Sequence, residues 1–526
     1  MKENKATGSG TFFGRLGRFI TACSMFAMVC IASSCSEESS SYQAFYFDAT
    51  NGNDTNSGNS PEDAWKTFHH LQDTKLKPGD KILLKRGSVF NEILEISAEG
   101  TPDNRITVDA YGEGNKPTIV GNENSVYAAR IFNSDYLTFQ NIEIVNTGNS
   151  EIKHRCGLKV ECRDYGVSHD LYINAVTIRD VNGSKVKTYG AGCGLNIVNG
   201  GDKVISTFDG LKIENCHILR CQRNAMIWSG YADRSNWHPN LNTEVRYNLI
   251  EEVPGDGIVP IGCDGVIVEY NIMRNSPAIL PKTEAAAGFW PWSCDNVVIQ
   301  FNEVCGHKAP WDAQAYDCDD NCDGTTIRYN YSHDNHGGLV LVCEAGGEDR
   351  AHNMGAENSK IYYNISIGDG IRPWPGRGRM FSPQIHLAGP VGNTQIYRNI
   401  LHANKKPNNE VDRTAVVADE YDGYPHHTTF IENIFYTPET SDFEMTKSTE
   451  NLFKGNYFLG HYDNQPADKE GKKTSKVYHQ EVLSVDPEGY NGLAVLMDTV
   501  TVCGVQGHFV NKEKIEAFFG RLIENK

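Results

Sequence analysis

The chain has 526 residues, 39% of them hydrophobic, with 50 glycines, 20 prolines and a formal charge of −18 at pH 7. That length exceeds one ordinary globular core, so it implies either several domains or one elongated stack of repeats. The composition is that of a soluble, turn-rich, β-leaning protein, and the acid excess argues against nucleic acid as a partner, because phosphate binding needs a basic footprint.

At the amino end, Lys2, Lys5, Arg15 and Arg18 precede the apolar run FITACSMFAMVCIASSC, too short for a stable membrane span and placed where an export signal belongs. The run closes on Ile31-Ala32-Ser33-Ser34-Cys35 and is followed by SEESSS. The segment resembles the export signal of bacterial surface lipoproteins. That resemblance implies a signal over 1–34, a lipid on Cys35, a polar acidic tether over 35–44, and residence at the outer membrane or cell surface, with the membrane contacted only through the lipid. Cleavage removes four bases and one acid, which moves the charge from −18 to −21. Twelve of the 15 cysteines lie beyond Cys35, without the paired CxxC motifs of a zinc module, and Cys216 in LKIENCHIL reads as a small buried hydrophobe.

Next along the chain, Ser60-Pro61-Glu62-Asp63 offers an N-cap serine, a proline at the first helical position and acids in the first turn, predicting a short capping helix through AWKTFHHL. A recurrent phrase then sets the architecture: LTFQNIEI, LKIENCHIL, TEVRYNLI, VIVEYNIM, VVIQFNEV, TIRYNYS, KIYYNIS, QIYRNIL and TFIENIF. The asparagines fall at 141, 215, 248, 271, 302, 330, 364, 399 and 433, with Asp180 in the slot between the first two, at spacings of 23 to 39 residues. Alternating strands with polar stops at this period predict an all-β solenoid, a parallel β-helix over 45–500, whose stacked asparagines stabilise the bends. Over 501–526, Ile515, Phe518, Phe519 and Leu522 share one face of a predicted C-terminal capping helix.

The phrases FDATNGNDTNSGNSPEDAWKTFHHL, LKPGDKILLKRGSVFNEIL and AEGTPDNRITVDAYGEGNKPTI, with YNYSHDNHGG, resemble secreted right-handed parallel β-helix proteins of the pectin-lyase-like superfamily. The resemblance spans about residues 45–460 and implies that fold and a polysaccharide or oligosaccharide substrate. The superfamily holds lyases, hydrolases and other branches, so activity has to be read from the residues.

In YDCDD, Asp317 and Asp319 stand two apart on a strand, about 6.6 Å at Cα and on one face, within the range that paired carboxylates need for glycoside hydrolysis. PGDGIVPIGCDG offers Asp256 and Asp264, each followed by Gly, and Asp256 reaches the same groove if coils stack, while Asp320 and Asp323 read as turn residues. Trp290, Trp292 and Trp311, three within 22 residues, are read either as core or as a platform for sugar faces. His333, His336 and Glu344 are candidates for orienting hydroxyls, and Arg372, Trp374 and Arg377, with Arg379 and His386, form a basic patch for gripping substrate. Three functions stay open: a glycoside hydrolase needing no cofactor, a lyase eliminating across a uronate with Ca²⁺ held on the acids, and a non-catalytic glycan-binding solenoid. A monomer is expected, and the sequence names no definite metal site.

Overall fold

Each repeat phrase forms two short strands on adjoining faces, one before and one after its asparagine corner, as in Glu244–Arg246 and Leu249–Glu251, and the strands of successive coils pair in parallel. The computed structural model describes residues 42–150, 152–345, 355–376, 379–406 and 410–524. The expected signal, Cys35, most of the tether and Arg377 lie outside the described residues. One sheet of 14 parallel strands runs from Ala44–Phe47 to Leu452–Lys454. Its register places Ile213, Val245, Val268, Ile299, Ile327, Ile361, Ile396 and Phe430 in a single file, each fully buried. Every such side chain taken from water contributes about 1.5–3 kcal/mol, so the core grows by one layer per coil. A second face carries Glu303–Cys305, Tyr331–His333, Ile365–Ile367 and Ile400–His402. A third carries Tyr316–Cys318, Val340–Cys343, Ile385–Ala388 and Thr414–Asp419. The architecture is a parallel β-helix.

The asparagine ladder exists at seven of the nine expected asparagines, starts at Asn248 and runs one rung further, to Asn456. Its members are Asn248, Asn271, Asn302, Asn330, Asn364, Asn399, Asn433 and Asn456, all fully buried. Each Asn Nδ2 donates to the Oδ1 of the next coil's asparagine at 2.9–3.1 Å. Asp468 terminates the series by accepting from Asn456 Nδ2 at 3.0 Å. Asn141 and Asn215 are not rungs: both have left-handed backbone, and the ladder position after them is held by Ile142 and Cys216. Asp180 is likewise outside it, at a bulge where it pairs with Arg179 and Arg220. The residue that turns the chain is the one before each rung, such as Tyr247, Tyr270, Phe301, Tyr329 and Tyr363, with φ of 51–56°. Its backbone faces a steric cost of about 1–2 kcal/mol in that conformation, offset by the rung's hydrogen bonds and by stacking. The five aromatic rings lie 5.1–5.5 Å apart along the outside of the stack.

At the amino end the cap is two 3₁₀ turns, Pro61–Asp63 and Phe68–Gln72, in place of one helix. Ser60 caps the first as expected, but Trp65 is drawn into a bridge with Phe47, which forces extended backbone between the turns. Trp65 stacks on Phe45, and Phe68 on Phe90, closing the first coil. At the other end, the last coil strand is Tyr457–Asp463, so the covering segment begins well before residue 501. It contains the antiparallel hairpin Met497–Val502/Val505–Val510 and the helix Lys512–Glu524. Ile515, Phe518, Phe519 and Leu522 are buried as their spacing predicts, and the helix folds back over the aromatic stack, Phe519 against Tyr363. The twelve cysteines beyond Cys35 are all unpaired.

Candidate active site

On the third face, Tyr316 and Cys318 fill the core, and alternation therefore turns Asp317 outward. Phe289 bridges Ile258 on one side and Tyr316 on the other, so the outward file one residue on reads Val259, Trp290, Asp317, Leu341 and His386. A parallel file holds Ile261 and Trp292 on one flank of Asp319, and Cys343 and Ala388 on the other. Together these residues line a cavity of about 550 Å³, with Asp256, Asp312, Asp317, Asp319 and Asp320 converging on it beside Lys187, Trp290 and Tyr421. Such a volume suits a small ligand held between apolar walls and a few placed polar groups.

Asp256 is locked in place. Burial opposes its charge, but the fully buried Arg223 guanidinium, with Lys187 nearby, holds its carboxyl below the ordinary range. Its Oδ1 accepts from Ala287 N and Trp290 Nε1, each at 3.1 Å, which fixes the indole in the wall. Lys187 lies above that ring, its Nζ 5.0 Å from the centroid, on a loop docked through Lys187 N and Glu284 at 2.8 Å.

The remaining acids are pushed upward to different extents. Asp312 pairs across strands with the small Ala286, and both Asp312 and Ala313 have left-handed backbone. Arg372 holds this strained turn by donating to Asp312 O at 2.6 Å and to Phe381 O at 3.0 Å. Burial, and then the charge of Asp319 working against Arg372, bring the Asp312 carboxyl up to about 6. Asp317 is only 3% exposed, and its Oδ1 has no hydrogen-bond partner. Burial and the neighbouring Asp312 and Asp319 push it well above the usual carboxylate range. Asp319 is also raised by burial, but Cys343 Sγ at 3.0 Å and Asp320 N at 2.7 Å donate to it and favour its anion. Asp320, which accepts from Ala345 N at 2.7 Å, is brought up to about 7 by burial and Asp319. Asp319, Asp320 and Cys343 bring ligand atoms within 4.8 Å of one another, but a thiol among them suits calcium poorly, since calcium takes oxygen donors.

Of the residues singled out in the sequence, Asp256, Asp317, Asp319, Trp290 and Trp292 come together here. Trp311 lines a small adjoining cleft, where the Arg372 guanidinium sits 5.5 Å from its ring. His336 is buried against Trp374, and Trp374 donates to Pro310 O, so both brace the Asp312 turn instead of facing the cavity. Glu344 is fully buried outside the cavity lining. His333 lies on the second face and Asp317 on the third, divided by the corner at which His307 N donates to Asn335 Oδ1. Asp320, read as a turn residue, faces the cavity, whereas Asp323 and Asp264 each end a two-residue strand just before a left-handed glycine, bonded to Asn358 and Asn296. Asp312, Lys187 and Tyr421 were missed. The sequence signal for Asp312 was the Ala285–Gly288 run of small residues, which leaves room opposite it.

No protein-family model matches the chain. The sequence is 25% identical to a lacto-N-biosidase of Bifidobacterium longum subsp. longum, in an alignment covering 64% of this chain and 27% of that protein, so the chain spans about a quarter of the relative's length. In structure it is similar to the GH136 lacto-N-biosidase from Eubacterium ramulus, as the native protein and as the selenomethionine derivative. Each comparison gives a TM-score of 0.57 and 21% identity, over 82% of this chain and 67% of that chain. The structural likeness is one of fold.

Proposed function

We propose that this chain is a glycoside hydrolase acting on an oligosaccharide or polysaccharide in the cavity of the third face. The observation that carries the reading is a cluster of acids in one cavity whose surroundings push their proton affinities apart, the condition for dividing acid and base roles between like groups. Asp319, which accepts from Cys343 and Asp320 N, is assigned as the carboxylate that attacks carbon or activates water. Asp312, poised at about 6, is assigned as the proton donor to the leaving oxygen, since a catalytic acid works best near the operating pH. Asp317, raised higher and almost wholly covered, acts as a protonated hydrogen-bond donor beside them. The expected pairing of Asp317 with Asp319 is thus revised to Asp312 with Asp319. Trp290, held by Asp256, and Trp292 receive the apolar faces of the sugar.

The similarity to lacto-N-biosidases supports this reading and makes lacto-N-biose-bearing oligosaccharides the first substrates to test. New reducing ends should appear, and Asp319→Asn and Asp312→Asn should each lower turnover by at least about 10²-fold with folding intact. A product with ultraviolet absorbance from a new double bond would replace hydrolysis by elimination, and retention of a glycan without shortening would replace it by binding. The exported, Cys35-anchored, monomeric form is part of the same proposal. It is checked by loss of fatty-acid labelling in Cys35→Ser and by sedimentation of the soluble domain.

A further inference from the structure

On the second face, away from the acid cavity, a different set of side chains converges. Glu303 and Cys305 are two apart on one strand and so share a face, and the register places His333 of the next coil beside Cys305. Each of the three brings one ligand atom within 4.8 Å of the others. His333 Nε2 lies 3.3 Å from Glu303 Oε1, and its other nitrogen, Nδ1, is 2.8 Å from Asp334 Oδ2. Asp334 in turn accepts from Tyr490 OH at 2.5 Å. A carboxylate on the far nitrogen is the arrangement that fixes the tautomer and orientation of a metal-binding histidine. From the C-terminal hairpin, His508 brings Nδ1 to 3.5 Å from Glu303 Oε1 and donates its backbone N–H to Glu303 Oε2 at 2.8 Å. These groups border a cavity of about 400 Å³, and Arg274, which also lines it, is already paired with Glu251.

We infer that Glu303, Cys305 and His333 form a zinc site, with His508 as the fourth donor after rotation of its half-exposed ring. A thiolate, an imidazole and a carboxylate are the donors that Zn²⁺ accepts in tetrahedral sites, at about 2.0–2.3 Å from the metal. Three of the four ligands come from two adjacent coils of the stack, Glu303 and Cys305 from one and His333 from the next, and the fourth comes from the hairpin that covers it. The ion therefore clips the C-terminal segment to the helix, and binding is linked to stability because the donors are brought together only in the folded chain. The inference does not rest on the hydrolase reading.

The test uses the exported domain prepared in chelator and titrated with zinc chloride, and separately with cobalt chloride. One equivalent of Zn²⁺ should bind and raise the melting temperature, and Co²⁺ should give a thiolate charge-transfer band. Cys305→Ser and His333→Gln should abolish the band and the melting shift, Asp334→Asn should weaken binding about 10- to 100-fold, and Cys343→Ser should leave binding unchanged. Glycan turnover by Cys305→Ser should match that of the wild type. Absence of a stoichiometric binding event, a cobalt spectrum without the thiolate band, or a site lost in Cys343→Ser but kept in Cys305→Ser would overturn the inference.

Discussion

Asp312→Asn separates a functional cost from a catalytic role. The Asp312 carboxyl ionises at about 6 in the folded chain against 3.8 in an ordinary setting. Ionising it is thus harder folded than unfolded, and folding stability falls as pH rises from about 4 to about 6, then stays level. That difference corresponds to about 3 kcal/mol, an upper value because Asp317 and Asp319 relax when their neighbour is neutralised. With an unfolding entropy of about 2.1 cal/mol/K per residue over roughly 470 residues, that is a difference of about 3 °C. Melting wild type and Asp312→Asn at pH 4, 5, 6 and 8 should give coincident temperatures at pH 4 and a gain of up to about 3 °C for the variant at pH 8, while its turnover collapses. A difference that does not change with pH, or a wild type that is the more stable at pH 8, would refute the argument that Asp312 is held in an ionisation-resistant place.

Arg223→Met should cost about 3–5 kcal/mol in denaturant unfolding because it strands Asp256 and Glu284 without their buried cation, and Arg223→Met/Asp256→Asn should recover part of the loss. Asn302→Ala should cost about 1–3 kcal/mol by leaving the Asn271 donors without their acceptor, whereas Asn141→Gly, which keeps the left-handed turn, should cost about 0.5 kcal/mol or less. Trp290→Ala should raise KM about 10-fold or more in a glycan assay, and Trp290→Phe, which keeps an aromatic face but loses the donor to Asp256, should raise it less.

The fold was legible because period-two strands and a recurrent polar stop are local signals. The ladder was misplaced in the first coils because Asn141 and Asn215 match it in identity but stand one position early, at the left-handed residue. Only the partner of a side chain, not its type, distinguishes the two positions. Asp317, Asp319 and Asp256 were found because coil stacking converts repeat spacing into proximity. Asp312 was not, since it reaches the cavity through a turn held by Arg372, 60 residues further along, and nothing local to Trp311-Asp312 announces that support. His333 was drawn towards the acids by nearness in sequence, although a corner of the coil divides them and gives it to Glu303 and Cys305.

The returning C-terminal segment touches coils far apart in the stack: Phe509 lies against Tyr270, Glu516 accepts from Tyr329, and Leu522 O accepts from Tyr457. Linear arrays held only by nearest-neighbour contacts can peel from an end, one layer at a time. A splint that spans many layers couples their fates, so these coils should melt together, and residues made later in synthesis secure those made much earlier.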